Sequence, residues 1–233
     1  MLATHIAADL GAALASALAV VFPVPCAGCG EEGPSLCRAC AVALTPRLST
    51  LPLAGVGTVT AGLEYSGVAR ACLLAYKEQG RSALAGALAA PFALAVTRAL
   101  AVTTAPAVPA DAVVAVPSSR AARRRRGYEP VRLLAARAGI RLTPLFRPAR
   151  PRGAQKTLAV AERVRNADGA FALARSASGM RVLLVDDVVT TGSTLSAAAE
   201  VVHRGGGVVV GAAVLAATRR RDGRSSGTLS WNP

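Results

Sequence analysis

The sequence predicts an α/β protein: a parallel sheet with helices on both faces, joined to a small cysteine-rich N-terminal module. Aliphatic runs recur as AVVAVP (112–117), RVLLVDD (181–187) and GVVVGAAVLAA (207–217). Runs without polar alternation suit strands buried on both faces, and the helical sequence between them suits crossovers. Four of the five cysteines fall in two CxxC pairs, Cys26/Cys29 and Cys37/Cys40. The chain of 233 residues is 52% hydrophobic, which excludes wholesale disorder and allows one ordinary domain plus an appendage.

At the N-terminus, Leu2, Ile6, Leu10, Leu14 and Leu18 recur every four residues and mark one face of an amphipathic helix. The segment has no early Lys or Arg, and Asp9 interrupts it, so it lacks the basic start of a signal peptide. A bilayer span needs about 20 apolar residues, and this run falls short. The expectation is a docking helix on a cytoplasmic protein with no transmembrane segment.

Cys26, Cys29, Cys37 and Cys40 offer four thiolates from two tight turns, enough for a closed tetrahedral zinc site of structural type. A pair of redox-active dithiols is the alternative. Cys72, within RACLLAY, reads as a small buried hydrophobe. The expected division is 1–47 for the helix and zinc module, 48–218 for the α/β domain, and 219–233 for a basic, mobile tail.

Residues 45–55 read as a linker or hairpin lead-in, and 56–65 as a strand. A helix follows, with Ser66 as N-cap and Gly80 as stop, and then an Ala-rich helix over about 82–100. After the strand at 112–117 the pattern predicts an arginine loop, a helix over about 129–139, a short strand in RLTPLF and a helix over 153–166. The strand at 181–187 leads through TTGST into a helix over 194–204, which Gly205, Gly206 and Gly207 end.

Charge is unevenly placed. Lys and Arg number 27 against 13 Asp and Glu, a net +14, and all but Lys77 and Lys156 are arginine. Residues 1–116 are neutral, 117–152 carry +10, 153–218 carry +1 and 219–233 carry +3. A cationic block this local calls for an anionic ligand or partner rather than a generally sticky surface.

The segment VLLVDDVVTTGST (182–194) concentrates polar groups at the end of a buried strand. In open parallel sheets, ligands bind beyond that end. Asp186 and Asp187 come first, and Thr190, Thr191, Gly192, Ser193 and Thr194 follow at a helix start. Amides and hydroxyls at a helix N-terminus cradle phosphate, and glycine lets the backbone approach. Carboxylates accept hydrogen bonds from a vicinal diol, so the segment suits a sugar phosphate. No Gly-Lys-Ser/Thr follows, which excludes a P-loop.

This segment resembles the 5-phosphoribosyl 1-diphosphate (PRPP) motif of type I phosphoribosyltransferases. The wider order resembles the ComF family, including its GntX-like members. It runs from two CxxC pairs through Tyr65-x-Gly67-x-x-Arg70, Lys77 and Gly80 to AVPSSRAARRRRGY. Gln155-x-x-Leu158, Arg163, Asn166 and the PRPP motif complete it. Where that family has Arg-Gly-Phe-Asn-Gln, this chain reads Arg126-Gly127-Tyr128-Glu129-Pro130.

The resemblance implies a type I phosphoribosyltransferase-like sheet and a Mg²⁺-assisted displacement of diphosphate from ribose C1′ by a nitrogen nucleophile. It implies that Asp186 and Asp187 hold the ribose and that residues 190–194 hold the 5′-phosphate. Pro117, Ser118, Ser119, Arg120 and Lys77 would serve PRPP, and Gln155 and Arg163 would belong to a lid. The family's link to DNA uptake implies possible contact with DNA and competence-machinery proteins. A non-catalytic nucleic-acid-binding scaffold on the same fold is the alternative. The arginine block favours it through phosphate neutralisation, although Tyr128 and Phe146 alone make a poor stacking platform.

Overall fold

The computed structural model describes residues 24–103, 109–118, 120–148 and 171–219. The expected helices over 1–22 and 153–166 and the tail beyond 219 lie outside the described residues.

Five strands make the main sheet, in the order β1-β2-β7-β6-β3. They are β1 (Ser49–Leu53), β2 (Gly57–Glu64), β3 (Ala112–Ala115), β6 (Arg181–Val189) and β7 (Val208–Ala217). β2, β7, β6 and β3 are parallel, as the aliphatic runs predict, while β1 lies antiparallel at the edge. Only three residues separate β1 from β2. A parallel crossover needs a dozen or more, so the chain can only fold back as a hairpin. Gly55 and Gly57, at φ +75° and +92°, supply its left-handed turn geometry. A separate two-stranded ribbon pairs β4 (Phe146–Pro148) with β5 (Phe171–Leu173).

Helices cover both faces of the sheet. They are α1 (Arg38–Ala43), α2 (Gly67–Glu78), α3 (Ala85–Thr103), α4 (Arg120–Arg126), α5 (Pro130–Arg137) and α6 (Ser193–Arg204). On one face Leu73 of α2, Phe92 of α3 and Leu134 of α5 join Leu183 and Val185 of β6. On the other, Leu195, Ala198 and Val202 of α6 meet Val182 and Leu184 of β6. The two sets alternate along β6, the period-two consequence of a strand sandwiched between layers. Each fully buried aliphatic side chain stabilises the fold by about 1.5–3 kcal/mol.

Ser82–Val102 is a 21-residue helical stretch long and apolar enough to cross a membrane. Leu88, Phe92, Ala95 and Val96 are buried in the domain core, the usual position for such a helix in a packed α/β domain. A Cβ on Gly62 of β2 would lie 2.2 Å from the Pro91 carbonyl oxygen, so glycine is what lets α3 approach the sheet.

Two local expectations change. The arginine run predicted as a loop is helix α4, consistent with the high helix propensity of Ala and Arg. RLTPLF contributes only Phe146 to a strand. Thr143 N–H donates to Val113 O at 2.8 Å, but Pro144 has no N–H to extend the ladder.

Candidate functional site

The strand ends position the acidic pair. Glu64, Ala217 and Val189 lie in register at the carboxyl ends of β2, β7 and β6. β3 stops earlier, with Ala115 opposite Val185. Val116 N–H still donates to Val185 O at 2.9 Å, so Pro117 and Ser118 leave the sheet alongside Asp186 and Asp187. Ser119 lies outside the described residues, and Arg120 opens α4.

Lys77 Nζ, in the last turn of α2, donates to Asp187 Oδ1 at 2.9 Å. This contact joins two residues 110 positions apart that the sequence had marked separately. Asp187 N–H donates to Asp186 Oδ1 at 2.8 Å. Asp186 is half-buried. Burial and the adjacent Asp187 charge push its pKa up to about 8.

Asp186 therefore favours its neutral form in the folded protein. Its folded pKa lies above its ordinary value of 3.8, so its contribution to stability is full below about pH 4 and is lost as pH rises towards 8. Asp186→Asn is expected to flatten the pH dependence of Tm over that window. It should also raise Tm by a few degrees at pH 8, read by calorimetry from pH 4 to 9. Equal slopes in the two proteins would contradict this assignment.

The Thr/Gly-rich loop follows directly. Thr190, Thr191, Ser193 and Thr194 are exposed, while Gly192 is buried. Gly192 is the N-cap of α6 at φ +81°, and its O accepts from Ser196 N–H at 2.9 Å. Thr191 Oγ1 donates to Ser193 Oγ at 3.2 Å and lies 3.4 Å from Ser193 N. A Cβ on Gly192 would fall 2.6 Å from Leu53 Cδ1, so the loop sits against the end of β1. The first amides of α6 have no preceding helical turn to accept them, and the macrodipole is positive there.

The four cysteines also converge. Their sulfurs lie within 4.8 Å of one another, and Cys29 Sγ is 3.9 Å from Cys37 Sγ. A tetrahedral zinc with about 2.3 Å Zn–S bonds needs sulfurs about 3.8 Å apart, so the donor set can hold a zinc ion. Amides of Cys37 and Cys29 hold the Cys26 thiol down to about 6. Burial, with the neighbouring thiols, pushes Cys40 well up. A divalent cation would reverse that second effect, since it favours thiolate.

Other marked residues fall elsewhere. Cys72 is fully buried, and burial raises its thiol to about 11, which fits a core hydrophobe. His203 Nε2 accepts from Val209 N–H at 3.4 Å near the end of α6. Gln155 and Arg163 lie outside the described residues. Sequence reasoning did not mark Tyr76 and Glu78 as site residues. Tyr76 Oη donates to Pro130 O at 2.8 Å, and Glu78 pairs with Arg125 and Arg126. Their adjacency to Lys77 was the signal available.

The parallel sheet with helices on both faces fits a phosphoribosyltransferase-like α/β fold, with the acidic pair two residues before the end of β6 rather than at the strand tip the sequence predicts. A scan against protein-family models agrees: residues 122–229 match the phosphoribosyl transferase domain. The match contains Asp186, Asp187 and the cradle; Lys77, Pro117 and Ser118 and the cysteine module precede it. No curated protein matches the chain.

Proposed function

We propose that this protein binds PRPP and acts as a phosphoribosyltransferase-type protein of the ComF family, in the cytoplasm, with structural zinc on Cys26, Cys29, Cys37 and Cys40. The observation that carries the reading is the succession on one strand of Asp186, Asp187 and the Gly192-capped helix start. The 5′-phosphate takes the cradle of residues 190–194, and the ribose diol takes the carboxylates. Diphosphate then faces Pro117, Ser118, Ser119 and Arg120.

Lys77 is suited to bridge Asp187 and an incoming phosphate oxygen. Mg²⁺ prefers oxygen donors, and held mainly by the ligand's own diphosphate oxygens and water it would neutralise the leaving group. The C1′–O bond breaks and the nitrogen lone pair closes on C1′, with the nitrogen's proton passing to water. The ionised Asp187 carboxylate favours the positive charge that develops on the ribose, while the Asp186 carboxyl holds its hydroxyls. Gln155 and Arg163 are proposed to belong to a lid that keeps water from C1′.

PRPP with Mg²⁺ at about a hundred times Kd would stabilise the native state by about 2.7 kcal/mol, or roughly 5–10 °C in Tm. Asp186→Ala combined with Asp187→Ala should remove that shift. If the double variant keeps it, the carboxylates do not hold the ligand.

A second reading is a DNA-binding or competence scaffold on the same fold. The exposed Arg124 of α4 and the basic tail favour it. It requires DNA affinity that falls steeply with salt.

A further inference from the structure

Three consecutive residues at the end of α2 each hold a different neighbour. Tyr76 receives a hydrogen bond from Tyr128 Oη on its carbonyl, and the two rings lie 5.5 Å apart. Lys77 holds Asp187. Both oxygens of Glu78 are engaged, Oε2 by Arg125 and Oε1 by Arg126 Nη2 at 2.7 Å. One helical turn thus touches the acidic strand, the arginine helix and the segment after it.

Arg126 makes the Glu78 contact more than a surface ion pair. Its side chain is only 9% exposed, and its Nε has no hydrogen-bond partner among the described residues. A guanidinium this deeply buried needs a fixed counter-charge. Hydrogen bonding from Arg126 holds the Glu78 carboxyl below its usual range, so the counter-charge stays ionised. α4 reads RAARRRR, a helix whose like charges repel and which has no acid of its own.

We propose that Glu78 is a positioning residue: it anchors α4 through Arg125 and Arg126 and thereby fixes the start of that helix, at Arg120, beside the Pro117–Ser118 loop. The ligand class is a diphosphate or polyphosphate, so this role rests on the PRPP reading. Arg124, next to the anchored pair in α4, is exposed. Anchoring the pair leaves Arg124 to a polyanion. Lys77 is the adjacent residue, so the same turn of α2 ties the ribose side of the site to its diphosphate side.

Hydrogen exchange on the full-length protein without ligand tests the anchor by itself. Glu78→Gln keeps the side chain's shape and removes its charge, and it should speed exchange across residues 120–128 by about tenfold or more while leaving β6 unchanged. In an Arg126→Met background, adding Glu78→Gln should change exchange there much less, because the buried guanidinium is gone. Unchanged exchange in Glu78→Gln overturns the anchor.

Calorimetric titration with Mg·PRPP is the second readout. Glu78→Gln should weaken binding about tenfold, and Glu78→Asp should recover part of it. Wild-type protein that binds no PRPP overturns the ligand reading, while the exchange result still decides the anchor. Equal PRPP affinity in wild type and Glu78→Gln overturns the role of the anchor in ligand binding.

Discussion

Protein purified under reducing conditions is expected to carry about one zinc ion per chain and to lose more stability on chelation than from any single core substitution. Structural zinc contributes about 10–16 kcal/mol of binding free energy in zinc-finger peptides, and binding of that kind is folding energy. Here the four-cysteine module is wired to the main core. Leu44, just past α1, is 3% exposed and belongs to the core that contains Leu73 and Phe92. Arg81 donates to Ser35 O at 3.0 Å, and Arg47 N–H to Gly62 O at 2.8 Å.

Freeing the four sulfurs would therefore loosen Leu44 and its neighbours as well as the knuckle. Cys26→Ser with Cys40→Ser should abolish metal and reproduce the chelated Tm. Metal analysis and calorimetry check both points. Reduced protein that contains no zinc, with a Tm indifferent to chelator, would leave the redox-dithiol alternative.

Lys77→Met is expected to destabilise the protein by about 3 kcal/mol. Asp187 is 9% exposed at the side chain and Lys77 25%, so the variant leaves a nearly buried carboxylate without its cation. Removing one partner of a buried pair costs about 3–5 kcal/mol, and partial exposure of Lys77 argues for the lower end. Lys77→Met with Asp187→Asn should recover most of the loss, since neither charge is then stranded. Denaturant unfolding of the two variants checks this. If the double variant falls further instead of recovering, the pair is not the source of the effect.

The two variants also separate stability from ligand binding. Loss of Asp187 should abolish PRPP-induced stabilisation even where folding is restored. A protein can therefore be well folded and still fail to bind. That outcome would assign Asp187 to the ligand and Lys77 to holding it ready.

Local chemistry was legible wherever it was contiguous. The strand-acid-cradle run occupies thirteen consecutive residues, and the structure places it as β6 followed by the start of α6. The CxxC pairs were legible for the same reason, because short spacing alone brings their thiols close. The arginine run reads as a loop by its charge, but the helix propensity of Arg and Ala prevails and it folds as α4. The edge hairpin was legible only as a possible lead-in, because sequence periodicity does not reveal which strand a chain pairs with.

Contacts across the fold were of another kind. Lys77 meets Asp187 over 110 residues, and Glu78 meets Arg126 over 48. Neither pair has a periodic or motif signature, since their separation depends on how helices lie across the sheet. The sequence by itself determined the layers, the acidic pair, the Thr/Gly-rich loop and the four thiols, because each follows from residues close along the chain. The tertiary structure alone decided that one turn of α2 holds both the buried acid and the arginine helix. Packing against a shared core is what brought those distant charges within hydrogen-bonding reach.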